Sequence, residues 1–275
     1  MYSILNERVV IAVTGEDRLK FLQGLISNDL NKLEENNAIY ACMLTPQGKY
    51  FADFFLKKEQ DKILIDIPKL RKEEIKNKLN VYKLRSLISI EDTPYKVISF
   101  LTDDIKKIIH NNIIFQDPRS NKMGLRCFTT DSLLGELSKN LKYNQDAYDL
   151  ARIDNFIAEG EKDLIPGKSF LLEYGLDGLN AIDYKKGCYV GQELVARMHY
   201  QGVIRKQITQ IHSKIDLPEL GTLIYADQQK IGSLCSSIKN KGLALIRTEN
   251  VVNLPESSKI TIEGQEVKLK FQENP

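Results

Sequence analysis

Lys185-Lys186-Gly187-Cys188-Tyr189-Val190-Gly191-Gln192-Glu193-Leu194-Val195-Ala196-Arg197 is the densest run of chemistry in this chain. A thiol lies between two glycines, follows two lysines and precedes a run of helix formers that begins at Gln192. Gly187 and Gly191 permit a tight turn or the close approach of a ligand. A cysteine beside cations and just before a helix N-terminus is expected to have thiolate character. The alternative is a small buried filler at Cys188, with Glu193 and Arg197 forming a surface pair four residues apart. A core filler needs neither the cations nor the glycines, and their presence favours a functional thiol.

The composition sets outer limits. A chain of 275 residues forms one large unit or two to three small ones. With 42% hydrophobic and 28% charged residues it reads as a soluble globular protein with a real core. The 39 basic and 37 acidic residues leave a formal charge of +2, which argues against a direct nucleic-acid partner. No apolar run approaches the roughly 20 residues that span a bilayer, so no membrane partner is expected. Met1 leads into a structured segment without a cationic-apolar or Arg-rich leader, and a cytoplasmic location is the expectation. Cys42, Cys127, Cys188 and Cys235 form no C-x-x-C pair, and His110, His199 and His212 lack ligand spacing. No resident metal is expected, although Cys188 could lend one ligand to a shared cluster.

Periodicity predicts strands over Arg8–Thr14, Ala38–Leu44, Lys49–Leu56 and Lys62–Ile67, with turn chemistry at Thr45-Pro46-Gln47-Gly48. Short strands follow at Leu87–Glu91 and Tyr95–Leu101. Helices are predicted over Gly15–Leu25, Pro68 to about Lys78 and Asp149–Glu159, with weaker ones near Asp104–His110 and Ser132–Leu141. After Met198 the pattern changes to six short strands between Gly, Pro and Asn residues, which reads as a small β-barrel. Hairpins outnumber β-α-β crossovers before that point, so the fold class is α+β on antiparallel sheets. The division expected is an α+β region over 1–202, with a break between two subdomains near 95–115, and a barrel over 203–275. Neither GxGxxG nor GxxxxGK[ST] occurs.

The run Lys186-Gly187-Cys188-Tyr189-Val190-Gly191-Gln192-Glu193, with Arg197 four residues on, resembles the signature of the YgfZ family. Its members are folate-binding iron–sulfur cluster maintenance proteins and relatives of the glycine-cleavage T-protein, an aminomethyltransferase. Phe21–Asp29, Leu44–Lys49, Asp117-Pro118-Arg119, Gly124-Leu125-Arg126 and Gly202–Lys206 follow the family pattern in order. The resemblance implies a ring of α+β subdomains with a C-terminal barrel, and a tetrahydrofolate in the ring. Asp154, in Arg152-Ile153-Asp154, and Glu173 match the family's ligand-facing runs, and Arg197 is a further candidate; a solvated carboxylate is the plain alternative for Asp154 and Glu173. Of the T-protein's paired aspartates only Asp53 survives, beside Ala52, as a candidate catalytic carboxylate.

The resemblance thus implies a tetrahydrofolate-binding accessory protein for assembly or repair of iron–sulfur enzymes, including tRNA-modifying ones. Its partners would be folate and iron–sulfur clients or assembly factors. The second reading is a folate-dependent aminomethyl transferase; the third is a binding module without folate chemistry.

Overall fold

Strand β3 (Ala38–Leu44) is buried along all seven residues. Tyr40, Cys42 and Leu44 enter one hydrophobic core, while Ile39, Ala41 and Met43 enter another. Side chains alternate across a strand, so burial at every position requires packed material on both faces. The computed structural model describes residues 1–102, 112–131, 135, 137, 139, 141–202, 204–252, 254–255 and 258–272.

Strands β2 (Arg8–Thr14), β4 (Tyr50–Glu59), β5 (Lys62–Pro68) and β6 (Ser89–Asp92) join β3 in an antiparallel sheet of order β3-β4-β5-β2-β6. Helices α1 (Arg18–Gln23) and α2 (Lys72–Lys83) cover one face through Phe21, Leu22, Ile75 and Leu79. The other face looks to the middle of the molecule. There its residues share one core with Val97 and Phe128 of a second sheet and with Ile208 and Leu243 of the barrel.

The second sheet has the order β1-β7-β9-β8, from β1 (Tyr2–Ile4), β7 (Lys96–Phe100), β9 (Leu125–Thr129) and β8 (Ile113–Gln116). Its first strand comes from the chain's beginning, with Tyr2 opposite Phe100. Helices α3 (Ala147–Asp154), α4 (Gly160–Asp163) and α5 (Gln192–Gln201) lead to the barrel. Strands β10 (Lys206–Ser213), β11 (Leu223–Ala226), β12 (Gln229–Ile238), β13 (Lys241–Arg247), β14 (Ile260–Ile262) and β15 (Gln265–Lys270) close in the order β10-β13-β12-β11-β14-β15. The β10–β15 pairing removes both edges.

The expected α+β class and six-stranded barrel are both present. Helix α1 is shorter than Gly15–Leu25 because Gly15 is left-handed, at φ +99°, and cannot open a helix. The helix expected over Asp149–Glu159 stops at Asp154, with Phe156 at φ +58° just beyond it, and a separate short helix opens at Gly160. Strands β8 and β9 carry no expectation from the sequence. The helix near Asp104–His110 and most of that near Ser132–Leu141 lie outside the described residues. The first sheet ends with Asp92 and β7 of the second begins at Lys96. Among the described residues no helix is long and apolar enough to cross a membrane.

Candidate functional site: an exposed thiol on a loop held from behind

Strand alternation turns Ala52 into the helix-covered core and Asp53 toward the middle of the molecule. Asp53 is 0% exposed and accepts from Arg8 Nη1 (3.2 Å), Tyr40 OH (3.2 Å) and Tyr50 OH (2.9 Å). Gly160 seals it, since a Cβ there would lie 2.5 Å from Asp53 Oδ1. Asp53, the expected catalytic carboxylate, is thus a buried anion held by an arginine and two tyrosines.

It belongs to a chain of buried ions. Asp66 accepts from Arg8 Nε (2.7 Å) with one oxygen and from Arg126 Nε (2.8 Å) with the other. Arg119 holds Asp117 (2.8 Å) and Glu159 (2.6 Å), and Tyr148 OH accepts from both Arg119 and Arg126 while donating to Glu159. The Arg126 guanidinium lies 3.7 Å from the centre of the Phe55 ring. Burial acts to raise the Glu159 pKa, but Arg119, Lys162, Arg8 and Arg126 hold it well below the usual carboxylate range. A signal for this network existed in the sequence: Asp66 interrupts the apolar run Ile63-Leu64-Ile65, and a buried charge requires a partner.

The Cys188 loop is built in the opposite way. Asp183 Oδ1 accepts from the backbone N–H of Lys185 (2.7 Å) and Lys186 (3.2 Å), which turns the chain, and Asp183 Oδ2 holds Lys32 Nζ at 2.6 Å. Lys186 Nζ donates to three backbone carbonyls beyond α1, those of Gln23 (2.8 Å), Ile26 (2.6 Å) and Asn28 (2.9 Å). Its ammonium also lies 4.9 Å from the Tyr189 ring centre. Burial lowers the Lys186 pKa to about 8, against the opposing charges of Asp29 and Asp183. Lys186 was expected to lie beside the thiol as an activating cation; it is instead the tie that fastens the loop to the end of α1.

Val190 N–H donates to the Gly24 carbonyl at 3.2 Å, and Tyr189 N–H to Gln192 Oε1 at 3.1 Å. Gly191, at φ +83°, caps α5 against the turn between β3 and β4. A Cβ on it would meet Thr45 O at 2.5 Å, so no larger residue fits without movement. Gly187 has open space where its Cβ would be, and Cys188 is exposed and free. Cys42, Cys127 and Cys235 are buried. Burial raises all three of those thiols, Cys127 to about 12. Glu193 and Arg197 are both exposed on α5, and no ion pair joins them among the described residues.

The three residues expected to bind folate each stand in a different setting. Asp154 is exposed and held by Lys241 of β13 at 2.9 Å. Glu173 is buried, its pKa raised by that burial, with Lys206 Nζ 3.7 Å away. Arg197 lies on the outer face of α5. No hydrogen bond or ion pair links any two of the three among the described residues.

Residues 205–273 match the family model of the CAF17 C-terminal β-barrel domain. The chain is 35% identical over 219 residues to the mitochondrial iron–sulfur cluster assembly factor IBA57 homologue of Mycosarcoma maydis, covering 73% of this chain and 54% of that protein. It is 32% identical to the Dictyostelium discoideum counterpart, over 74% of this chain and 60% of the relative. Human IBA57 is 29% identical over 90% of this chain and 77% of its own length. The chain therefore spans just over half the length of the first two relatives. Among solved structures, glycine cleavage system aminomethyltransferase T from Bartonella henselae superposes with TM-score 0.76, covering 99% of this chain and 84% of that one at 10% identity. That likeness establishes the fold. These relatives are named mitochondrial, which overturns the cytoplasmic expectation. The relatives also carry the IBA57 name where the sequence motif pointed to YgfZ. The chain is thus similar over most of its length to proteins named IBA57 iron–sulfur cluster assembly factors, and it has the aminomethyltransferase-T fold with a CAF17-type barrel.

Proposed function

We propose that this protein acts in iron–sulfur cluster assembly through Cys188, in company with assembly factors or client proteins. One observation carries the reading: of four cysteines only Cys188 is exposed, on a loop that is tied down from behind and open in front. An exposed thiol offers a soft sulfur ligand for iron and a nucleophile toward sulfur, whereas the three buried thiols are kept protonated and unreachable. The similarity to named assembly factors supports the same reading. A client range that includes tRNA-modifying enzymes, as in the YgfZ family, is the finer part of the proposal. Aminomethyl transfer fits less well, because Asp53 has no free oxygen to orient a substrate.

Tetrahydrofolate belongs to this proposal at a different place from the one expected. A cavity of ≈ 260 Å³ opens beside the buried ions, lined by Glu7, Arg8, Glu159, Glu161 and Lys162. Glu161 Oε1 is buried there without a hydrogen-bond donor, and neighbouring Arg71 has Nη2 without an acceptor. That carboxylate oxygen lies 3.4 Å from Arg71 Nε but accepts no hydrogen bond, and a pterin's amino-pyrimidinone edge would supply the donors. The volume lies below the roughly 300–1,000 Å³ of sites that enclose whole ligands, so it suits the pterin head alone. When bound, the folate would supply one-carbon carrier chemistry.

The test of the thiol is gene replacement with activity assays of iron–sulfur enzymes. Wild type is expected to restore them and Cys188→Ala to fail, while Cys42→Ala and Cys235→Ala proteins that fold retain function. Full restoration by Cys188→Ala would overturn the proposal. For the cofactor, tetrahydrofolate titration is expected to show Glu161→Gln weakened by about tenfold or more, with Asp154→Ala unchanged.

A further inference from the structure

A cavity of ≈ 840 Å³ forms an open groove between α1 and the turn that follows α2. Phe21, Leu25 and Tyr82 form its apolar part, and Lys20 and Arg85 flank them. Leu84 lines the same groove, 88% exposed and at φ +46°, a backbone region that a branched-chain residue rarely adopts. A strained leucine presented to solvent is costly twice, in backbone energy and in exposed apolar surface, and such features cluster at functional positions.

The charges around the groove are unbalanced. Residues 16–20 and 78–86 carry Arg18, Lys20, Lys78, Lys83 and Arg85 against Glu16 and Asp17. Asp17 is engaged, since its Oδ2 accepts from the Leu87 N–H at 2.7 Å. The groove is also continuous with the thiol loop. Gly24 is part of its wall, and the Gly24 carbonyl takes the Val190 N–H, two residues from Cys188.

We propose that this groove docks an acidic, amphipathic helix of a partner protein, and so brings that partner to the Cys188 loop. The apolar floor and Leu84 would receive the helix's hydrophobic stripe, and the cationic rim its carboxylates. The inference rests on the thiol reading above for its purpose, but not for its test. The helix-in-groove mode explains why a leucine stands out at a strained position with lysine and arginine around it.

The experiment measures binding of the intact protein to synthetic helical peptides by fluorescence anisotropy. One probe carries leucines at i, i+3, i+4 and i+7 with glutamates elsewhere; the second has the same leucines with lysines. The acidic peptide is expected to bind at least about tenfold more tightly than the basic one, and Lys20→Glu with Arg85→Glu to reverse that preference. Leu84→Gly relieves the backbone while removing the side chain, so it is expected to weaken binding in a protein at least as stable as wild type. Equal affinity for both peptides, or a change of less than about twofold on charge reversal, would overturn the proposal. So would binding only to phosphatidylglycerol vesicles, which would make the groove a membrane contact. Loss of peptide binding with Cys188-dependent enzyme activity intact would sink the docking alone; the converse result would sink the thiol reading alone.

Discussion

The buried ion chain and the Cys188 loop are both rich in reactive side chains, yet they are built for different ends. In the first, Arg8, Asp53, Asp66, Arg119, Arg126 and Glu159 are almost wholly inside the protein and hold one another. In the second, Lys186 and Asp183 are held by partners behind the loop, and the Cys188 thiol is turned out. Density of charge therefore does not mark the working surface here. What marks it is a reactive atom left unpartnered on a rigidly positioned backbone, which is how a site is kept both open and precise.

The comparison breaks most readily at Asp66. Replacing it by Ala leaves Arg8 and Arg126 each without its main buried anion, and the expected loss is about 3–5 kcal/mol in chemical denaturation. Cys188→Ala should leave the denaturation midpoint where it was. A midpoint that moves as far for Cys188→Ala as for Asp66→Ala would show the loop to be part of the core.

Two glycines in the same motif sharpen the contrast. Gly191→Ala drives a Cβ against Thr45 O in a left-handed residue, and about 1–3 kcal/mol of destabilisation is expected. Gly187→Ala meets nothing within 4 Å and is expected to change stability by less than about 0.5 kcal/mol. Equal thermal shifts for the pair would mean that the loop is not packed as described.

Acid titration gives the smallest and most graded effect. The Glu159 carboxyl has a folded pKa below its unfolded value of about 4.3, so its stabilisation is complete above that value. It is lost as pH falls through the folded value, with a slope of at most about 1.4 kcal/mol per pH unit for one proton. Glu159→Gln should flatten the acid limb of the stability curve. An unchanged acid limb would remove Glu159 from the network's electrostatics.

Much of the fold was legible because turn residues and alternation are local. Strand β2 and strand β3 have the bounds that alternation predicts, and the barrel strands fall between the Gly and Asn turns. Strands β8 and β9 were not legible: Leu125-Arg126-Cys127-Phe128-Thr129 is buried throughout, arginine included, so it lacks the polar-apolar alternation of a half-exposed strand. The site was legible in part for a similar reason. Exposure of Cys188 follows from neighbouring glycines, but the fate of Lys186 depends on carbonyls about 160 residues away in sequence. The ion chain joins residues from position 8 to position 159, and only Asp66 betrayed it locally. The folate residues were placed by resemblance, and Asp154 shows the limit of that: it lies two residues, about half a turn of α3, beyond Arg152, which faces Asp163, while Asp154 faces Lys241 of the barrel.

Strand β1 carries a consequence for the order of events during synthesis. Tyr2 pairs with Phe100, and its N–H and carbonyl bond to Lys142 and Asn144, so this strand finds its partners only after residues far along the chain have emerged. The hairpins β3–β4 and β4–β5 can meanwhile close from neighbouring residues. Until β7 appears, Tyr2-Ser3-Ile4-Leu5 is an apolar segment without a sheet to join, and such segments are open to mispairing. Strand β1 is thus a late-closing piece of the second sheet, joined only once β7 has followed it.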